Sequence, residues 1–189
     1  TSALRMMMMT KDEDSPSSSS LLLLQSIITQ VQNNTPSLTT INLPSQNLTD
    51  NDLIPLFQSL ASNTHITTLS LPNNQITNEG CSALSSTLLD NTKLSTIDIS
   101  GNIHIGSSGI EDLSKALPYN YTLKSLHMCN IGHNFGPQGA YTIALALAQN
   151  ESLMELVLDG NNIGNIIINN NNNNNNTDYD GNNDIGAVN

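Results

Sequence analysis

The sequence predicts an α/β solenoid in which short parallel strands alternate with helices, one of each per repeat. Three observations carry that expectation. Segments beginning at Leu38, Ile66, Leu94, Leu123 and Leu153 recur at intervals of 28, 28, 29 and 30 residues, a period typical of repeat architectures. Each opens with apolar residues at positions 1, 4 and 6, and the alternation over the last three is that of a strand with one buried face. The second half of each unit carries apolar residues four apart, which lie on one face of a helix.

The first element is a helix expected over Ser20–Gln32, where Leu23, Ile27, Val31 and Asn34 share the 4-4-3 spacing of the later helices. It reads as the helix of a partial preceding unit or as a cap, residues 20–37. The strand segments follow as Leu38-Thr-Thr-Ile41-Asn-Leu43, Ile66-Thr-Thr-Leu69-Ser-Leu71, Leu94-Ser-Thr-Ile97-Asp-Ile99, Leu123-Lys-Ser-Leu126-His-Met128 and Leu153-Met-Glu-Leu156-Val-Leu158. Strands this short cannot stand alone and must pair with their copies.

The helices come into register when counted back from the next strand. Fourteen residues before it stand Asp52, Gly80, Gly109 and Gly139; ten before, Leu56, Leu84, Leu113 and Ile143; six before, Leu60, Leu88, Leu117 and Leu147. Three before are Asn63, Asn91, Asn120 and Asn150, expected to end the helices because Asn tolerates the left-handed conformation. With both registers set, the extra residues of the longer units fall in the strand-to-helix loops 101–106 and 129–133. Such surface loops tolerate length variation.

The ends differ in composition. Residues 1–19, with Met6–Met9, Asp12–Asp14 and Ser17–Ser20, read as a disordered low-complexity leader. Repeats occupy 38–164, about four full units and the start of a fifth. Residues 165–189 hold the run Asn169–Asn176, an insertion in the fifth unit's loop. The tail Asn183-Asp-Ile185-Gly186 resembles Asn161-Asn-Ile163-Gly164, as if the interrupted repeat resumed. Beginning without Met and stopping inside a unit, the chain reads as a fragment.

Composition narrows the function classes. Five Lys and Arg stand against sixteen Asp and Glu, a net charge of −11. The basic footprint needed for nucleic acid or anionic lipid is missing, so neither partner is expected. Leu21–Leu24 with Ile27 and Ile28 is the most apolar run, but Gln25, Ser26, Thr29 and Gln30 leave it too short and polar to span a membrane. Two cysteines, Cys81 and Cys129, without a dense even set, fit free thiols and a cytoplasmic location.

The stretch Leu69-Ser-Leu71-Pro-Asn-Asn74-Gln-Ile76-Thr-Asn-Glu-Gly80 resembles ribonuclease-inhibitor-like leucine-rich repeats, as does Leu156-Val-Leu158-Asp-Gly-Asn161-Asn-Ile163-Gly164. The resemblance runs from Leu38 to about Gly164. It implies a leucine-rich-repeat horseshoe with parallel strands on the concave face and helices on the convex face. It also implies a ladder of turn Asn residues that satisfy backbone groups where the chain leaves each strand. Gln46 departs from that pattern in the first unit, and in the fourth His133 and Phe135 fill the usual Asn and Ile positions.

The same resemblance places strand positions 2, 3, 5, 7 and 8 on the concave face, where a protein partner would bind. The candidate contact residues are Thr68, Ser70, Thr96, Asp98, Lys124, His127, Cys129, Glu155, Val157 and Asp159. Early strands are small and hydroxylic there; later ones gain charge, His and Cys, so binding is expected on the last two or three strands. The usual anchors Trp, Tyr and Arg are missing from this face. His127 and Cys129 point the same way, with His133 in the adjoining loop, a set with the chemistry of a zinc site or of a nucleophile with its base. No paired-ligand spacing, nucleophile elbow or phosphate-binding loop accompanies them. No catalytic residue, metal or cofactor is therefore expected. The predicted function is a protein–protein interaction module and not an enzyme. Similar repeats occur in Ran GTPase-activating proteins, innate-immunity-type receptors and tropomodulin-like actin regulators. The alternative is thus a regulatory part of a GTPase-activating or innate-immunity-type receptor protein.

Overall fold

A computed structural model of the protein describes residues 15–132 and 135–163. The leader up to residue 14, His133, and the stretch from Gly164 onward with its asparagine run and tail lie outside these. In chain order the elements are α1 (Ser18–Gln32), β1 (Thr40–Asn42), α2 (Asp50–Leu60), β2 (Thr68–Ser70), α3 (Asn78–Asp90), β3 (Thr96–Asp98), α4 (Ser107–Ala116), β4 (Ser125–His127), α5 (Gly136–Leu147) and β5 (Glu155–Val157). A turn of 3-10 helix, Leu117–Tyr119, continues α4.

The five strands form one sheet in sequence order, and every pair is parallel. Ile41, Leu69, Ile97, Leu126 and Leu156 fall in one cross-strand row, and the first four are buried against the helices. Leu43, Leu71, Ile99 and Met128 form a second buried row. The apolar columns of the helices meet them: Leu56, Leu84, Leu113 and Ile143 are buried, as are Leu60, Leu88 and Leu117. The architecture is an α/β solenoid of the leucine-rich-repeat type, with its core between one sheet and one layer of helices.

Two expectations need correction. In α1 the buried residues are Leu24 and Val31, while Leu23 is 49% exposed. Seven residues make nearly two whole helical turns, whereas the eight from Leu23 to Val31 overshoot by about 80°. The helix-ending asparagines meet the left-handed expectation only after α1, where Asn34 has φ 50°; Asn91 lies at φ −77°, ψ 131° and Asn120 at φ −97°, ψ 121°, both extended. Their value is in the carboxamide. Asn91 Nδ2 donates to Leu60 O of the preceding unit at 2.6 Å, while its Oδ1 accepts the N–H groups of Lys93 and Leu94 at 2.8 and 2.7 Å. Asn63, Asn120 and Asn150 repeat this, donating to Val31 O, Leu88 O and Leu117 O. Each side chain thus joins a helix end to the next strand and to its neighbour unit, satisfying backbone groups that burial would otherwise leave open.

A regular column of left-handed residues stands eighth in each unit: Ser45, Asn73, Gly101, Asn130 and Gly160 have φ between 50° and 72°. They turn the chain out of each strand and present the ninth residue to the core. There the expected second ladder forms. Asn74 Nδ2 donates to Leu43 O and Leu71 O at 2.8 and 3.0 Å, and its Oδ1 accepts from Gln46 N and Leu48 N. Asn102 and Asn161 make the corresponding bonds to Leu71 O and Ile99 O, and to Met128 O and Leu158 O. In the first unit Gln46 stands at this position, and its Oε1 accepts from Ser20 Oγ of α1 at 2.7 Å. In the fourth unit the ninth position is Ile131, fully buried; the reading that His133 fills the Asn position of this unit lies outside the described residues.

Helix starts are tied in the same manner. Thr49 and Asp52 form a capping box at α2. Asp50 then accepts the N–H and hydroxyl of Thr77, the cap of α3, at 3.0 and 2.5 Å. Asn78 Oδ1 accepts from Gly106 N and Gly109 N of α4. A Cβ at Gly80 would run into the Asp50 carboxylate, which explains the glycine in that column.

Candidate protein-interaction surface

Because a strand's side chains alternate, the residues flanking the buried row emerge on the sheet face turned away from the helices. Thr40 and Asn42 on β1 are exposed, and Thr68, Ser70, Thr96 and Asp98 on β2 and β3 are half-buried by their neighbours. The hydroxyls at the strand starts are occupied by the scaffold: Thr67 Oγ1 donates to Thr39 O at 3.3 Å and Ser95 Oγ to Thr67 O at 3.1 Å. Asp98 Oδ1 accepts from Ser100 N at 2.9 Å, which turns its carboxylate toward the strand exit.

The later strands carry a connected polar group. Register sets Ser125 opposite Glu155 and His127 opposite both Asp98 and Val157. Ser125 Oγ donates to Glu155 Oε2 at 2.6 Å and lies 3.0 Å from His127 Nε2. The same His127 nitrogen is 3.3 Å from Glu155 Oε2. The Ser125 hydroxyl, and next the His127 ring, hold the Glu155 carboxyl below its ordinary value. A carboxyl depressed in the folded state adds stability above its ordinary pKa, and that increment fades as the pH falls through the folded value. Glu155 is open to solvent, so the increment is small.

The remaining candidates stand apart from this group. Lys124 is exposed, Cys129 and Val157 are half-buried, and Asp159 is exposed at the exit of β5. Cys129 meets the scaffold through its N–H, which donates to Ser100 Oγ at 3.1 Å. Cys81 is buried in α3, where burial and the carboxylates of Asp50 and Asp112 push its thiol far up, so it packs as a small apolar side chain. Among the described residues no three of His, Cys, Asp and Glu come together to hold a metal. No helix among them is long and apolar enough to cross a membrane.

Repeat position 3 already puts Ser125 on this face, but the contact set chosen by residue type left it out, and it links the other two members of the group. Its signal is register: residues in the same position of adjacent units face one another, so Ser125 and Glu155 had to meet. Also missed is a shallow depression of about 450 Å³ lined by Asn73, Asn74, Gln75, Gly101, Ile103 and His104. It arises where two successive loops lie side by side, a contact that no single unit's sequence displays. Ile103 at its rim is 64% exposed.

Comparison with known proteins gives a consistent picture. The family model described as the TMOD/LMOD leucine-rich domain matches residues 22–178. Among solved structures, the fold resembles one described as leiomodin-1 actin-binding site 2, at 26% identity and a TM-score of 0.69, over 76% of this chain and 80% of that one. It also resembles the tropomodulin C-terminal domain of Caenorhabditis elegans, at 16% identity and a TM-score of 0.63, over 72% and 82% of the two chains; that likeness is one of fold. No curated protein sequence matches the chain.

Proposed function

The chain belongs to the TMOD/LMOD leucine-rich domain family, and we propose that it is an actin-binding interaction module. The observation that carries this reading is its likeness to a leiomodin segment described as an actin-binding site, with more than a quarter of aligned residues identical and most of both chains covered. The binding face we assign is the open face of β2 to β5, with its weight on the last strands. It is concave in the horseshoe geometry that the repeats imply, and the contact set is Thr68, Ser70, Thr96, Asp98, Lys124, His127, Cys129, Glu155, Val157 and Asp159 together with Ser125.

A rigid sheet supports this choice. Side chains on its free face vary without disturbing the core, and the Ser125–His127–Glu155 group holds three polar side chains in fixed relation before any partner arrives. The units are read as ribonuclease-inhibitor-like, each with a strand, an Asn-type turn and a full helix, and Asn169–Asn176 as an insertion in the fifth loop. Residues 1–19, 20–37, 38–164 and 165–189 are taken as leader, cap, repeats and interrupted repeat. Two free thiols favour a reducing compartment, the cytoplasm.

Actin supplies the test. The full chain, shown to be folded by a cooperative melt, is titrated into monomeric actin and separately sedimented with filaments. We expect saturable binding to one form, weakened about tenfold or more by the double substitution His127→Ala and Glu155→Ala, as for a central contact pair. Binding to neither form overturns the actin reading. Binding that the double substitution leaves unchanged overturns the assigned face.

A further inference from the structure

Hydrogen-bond direction within the Ser125–His127–Glu155 group follows from the chemistry of its members. A carboxylate only accepts, a hydroxyl carries one proton, and a neutral imidazole has one donor and one acceptor nitrogen. Glu155 is ionised wherever a histidine ordinarily titrates, since the Ser125 hydroxyl and then the His127 ring hold its carboxyl below the usual value. The 2.6 Å contact between Ser125 Oγ and Glu155 Oε2 therefore directs the hydroxyl proton at the carboxylate. His127 Nε2, 3.0 Å from the same Oγ, is then the donor of its pair.

The opposite tautomer meets repulsion on both sides. A bare Nε2 would set its lone pair against the hydroxyl oxygen and against Glu155 Oε2 at 3.3 Å. Were the hydroxyl to turn and donate to the ring, its oxygen would face the carboxylate at 2.6 Å with no proton between them. Either way a hydrogen bond to a charged group is lost, and such bonds are the strong ones.

The second ring nitrogen is not engaged in this way. Among the described residues Nδ1 has no hydrogen-bond partner. In its cross-strand row His127 lies between Asp98 of β3 and Val157 of β5. Val157 offers the ring no bond, and Asp98 directs its Oδ1 to Ser100 N. The other charged or titratable groups around the ring are Glu155 and Asp159 from β5 and its exit, with Lys124 and Cys129 at the two ends of β4. The His127 side chain is 35% exposed, so a partner on this face can reach it.

We propose that His127 is a proton-operated contact on the open face: Nε2–H is fixed toward Ser125 and Glu155, and Nδ1 alone gains or loses a proton. Histidine is the side chain that ordinarily changes charge between about pH 5 and 8. With the ring neutral, Nδ1 offers a lone pair, which takes an N–H or O–H donor of a partner. With the ring charged it offers an N–H, which takes a carboxylate or a carbonyl. No bond of the group breaks in the exchange, because Nε2 donates in both states. As a contact, His127 rests on the binding face proposed above; the proton switch is read on the free chain, so a failure of actin binding leaves it standing.

Long-range nitrogen–proton correlation through the imidazole C–H groups of the isotope-labelled full chain reads the two tautomers apart. His127→Gln identifies the signals. His104, exposed and without a side-chain hydrogen bond among the described residues, is the reference within the same sample. With the rings neutral, at about pH 8, we expect the Nδ1–H form to be about tenfold or more rarer at His127 than at His104, the factor that one hydrogen bond to a charged group supplies. On acidification to about pH 5 the His127 Nδ1 signal moves to the proton-bearing range while Nε2 keeps its own.

A tautomer ratio at His127 equal to that at His104 overturns the fixed Nε2–H. An Nδ1 that takes up no proton between those limits overturns the switch. Glu155→Gln replaces an acceptor-only group with one that also donates, which frees the hydroxyl to turn to the ring, and the His127 ratio is expected to approach that of His104. A folded Glu155→Gln chain in which the tenfold difference persists overturns the part assigned to the carboxylate. Should that variant fail to fold, the comparison within the unaltered chain decides.

Discussion

At the scale of single residues, asparagine does here what disulfides or metals do in other small scaffolds: it fastens neighbouring segments. The carboxamide suits the task because it donates and accepts at once, so one side chain satisfies a carbonyl in the earlier unit and amides in its own. Asn91 is buried, 3% exposed, with its bonds directed at buried backbone. Replacing it with Leu keeps the bulk and strands these groups. We expect Asn91→Leu to lower unfolding free energy by about 2–4 kcal/mol, from several buried groups losing partners; urea denaturation would show it as a fall in midpoint at unchanged slope. A loss below about half a kilocalorie would mean that water or the neighbouring backbone satisfies those groups. The sequence displayed the asparagine columns plainly. Their mechanism was not legible, because spacing places a residue near a helix end without saying whether its backbone or its side chain is the useful part.

At the scale of elements, strands and helices appeared where period and register put them, since each is the product of one apolar pattern against one neighbour. Errors arose where the pattern meets an end. Among the described residues no strand precedes α1, so no column of earlier units in them constrains its rotation, and the four consecutive leucines Leu21–Leu24 offer several helical faces of similar hydrophobicity. Packing chose Leu24, 3% exposed, and left Leu22 69% and Leu23 49% exposed. Leu24→Ala should therefore destabilise the chain by about 2–3 kcal/mol and Leu23→Ala by less than about half as much, measured by thermal melts of the two variants side by side. Equal losses would show that α1 packs on a different face.

At the scale of the whole molecule, a solenoid has no centre, only neighbours, and its stability falls toward whichever end lacks one. Burial follows that rule. Leu69 and Ile97 in the middle strands are fully buried, while Leu153, Leu156 and Leu158 around β5 are only partly so, and Met154 is 85% exposed. The amides of Met154 and Glu155, both bonded to Lys124 O, should exchange faster than those of Ser95 and Thr96, both bonded to Thr67 O. Equal rates would sink the view that order declines along the chain. The site was legible to a similar degree as the fold: repeat position assigned the face, but the bonding among Ser125, His127 and Glu155 depends on side-chain reach between units, which a one-dimensional pattern does not carry.

The left-handed column has a consequence for how such a chain can be inherited. Gly101 lies beneath the Asn73 carboxamide and Gly160 beneath that of Asn130, so closely that a Cβ at either glycine would collide with the asparagine above. From the second unit on, large and small residues therefore alternate: Asn73, Gly101, Asn130, Gly160. Duplicating a single unit would set two asparagines or two glycines side by side, and an asparagine carboxamide would have to swing away from its neighbour's Cβ. Duplicating two units together preserves the alternation. In this solenoid the pair, and not the single repeat, is the piece whose copy keeps each carboxamide of this column where it lies.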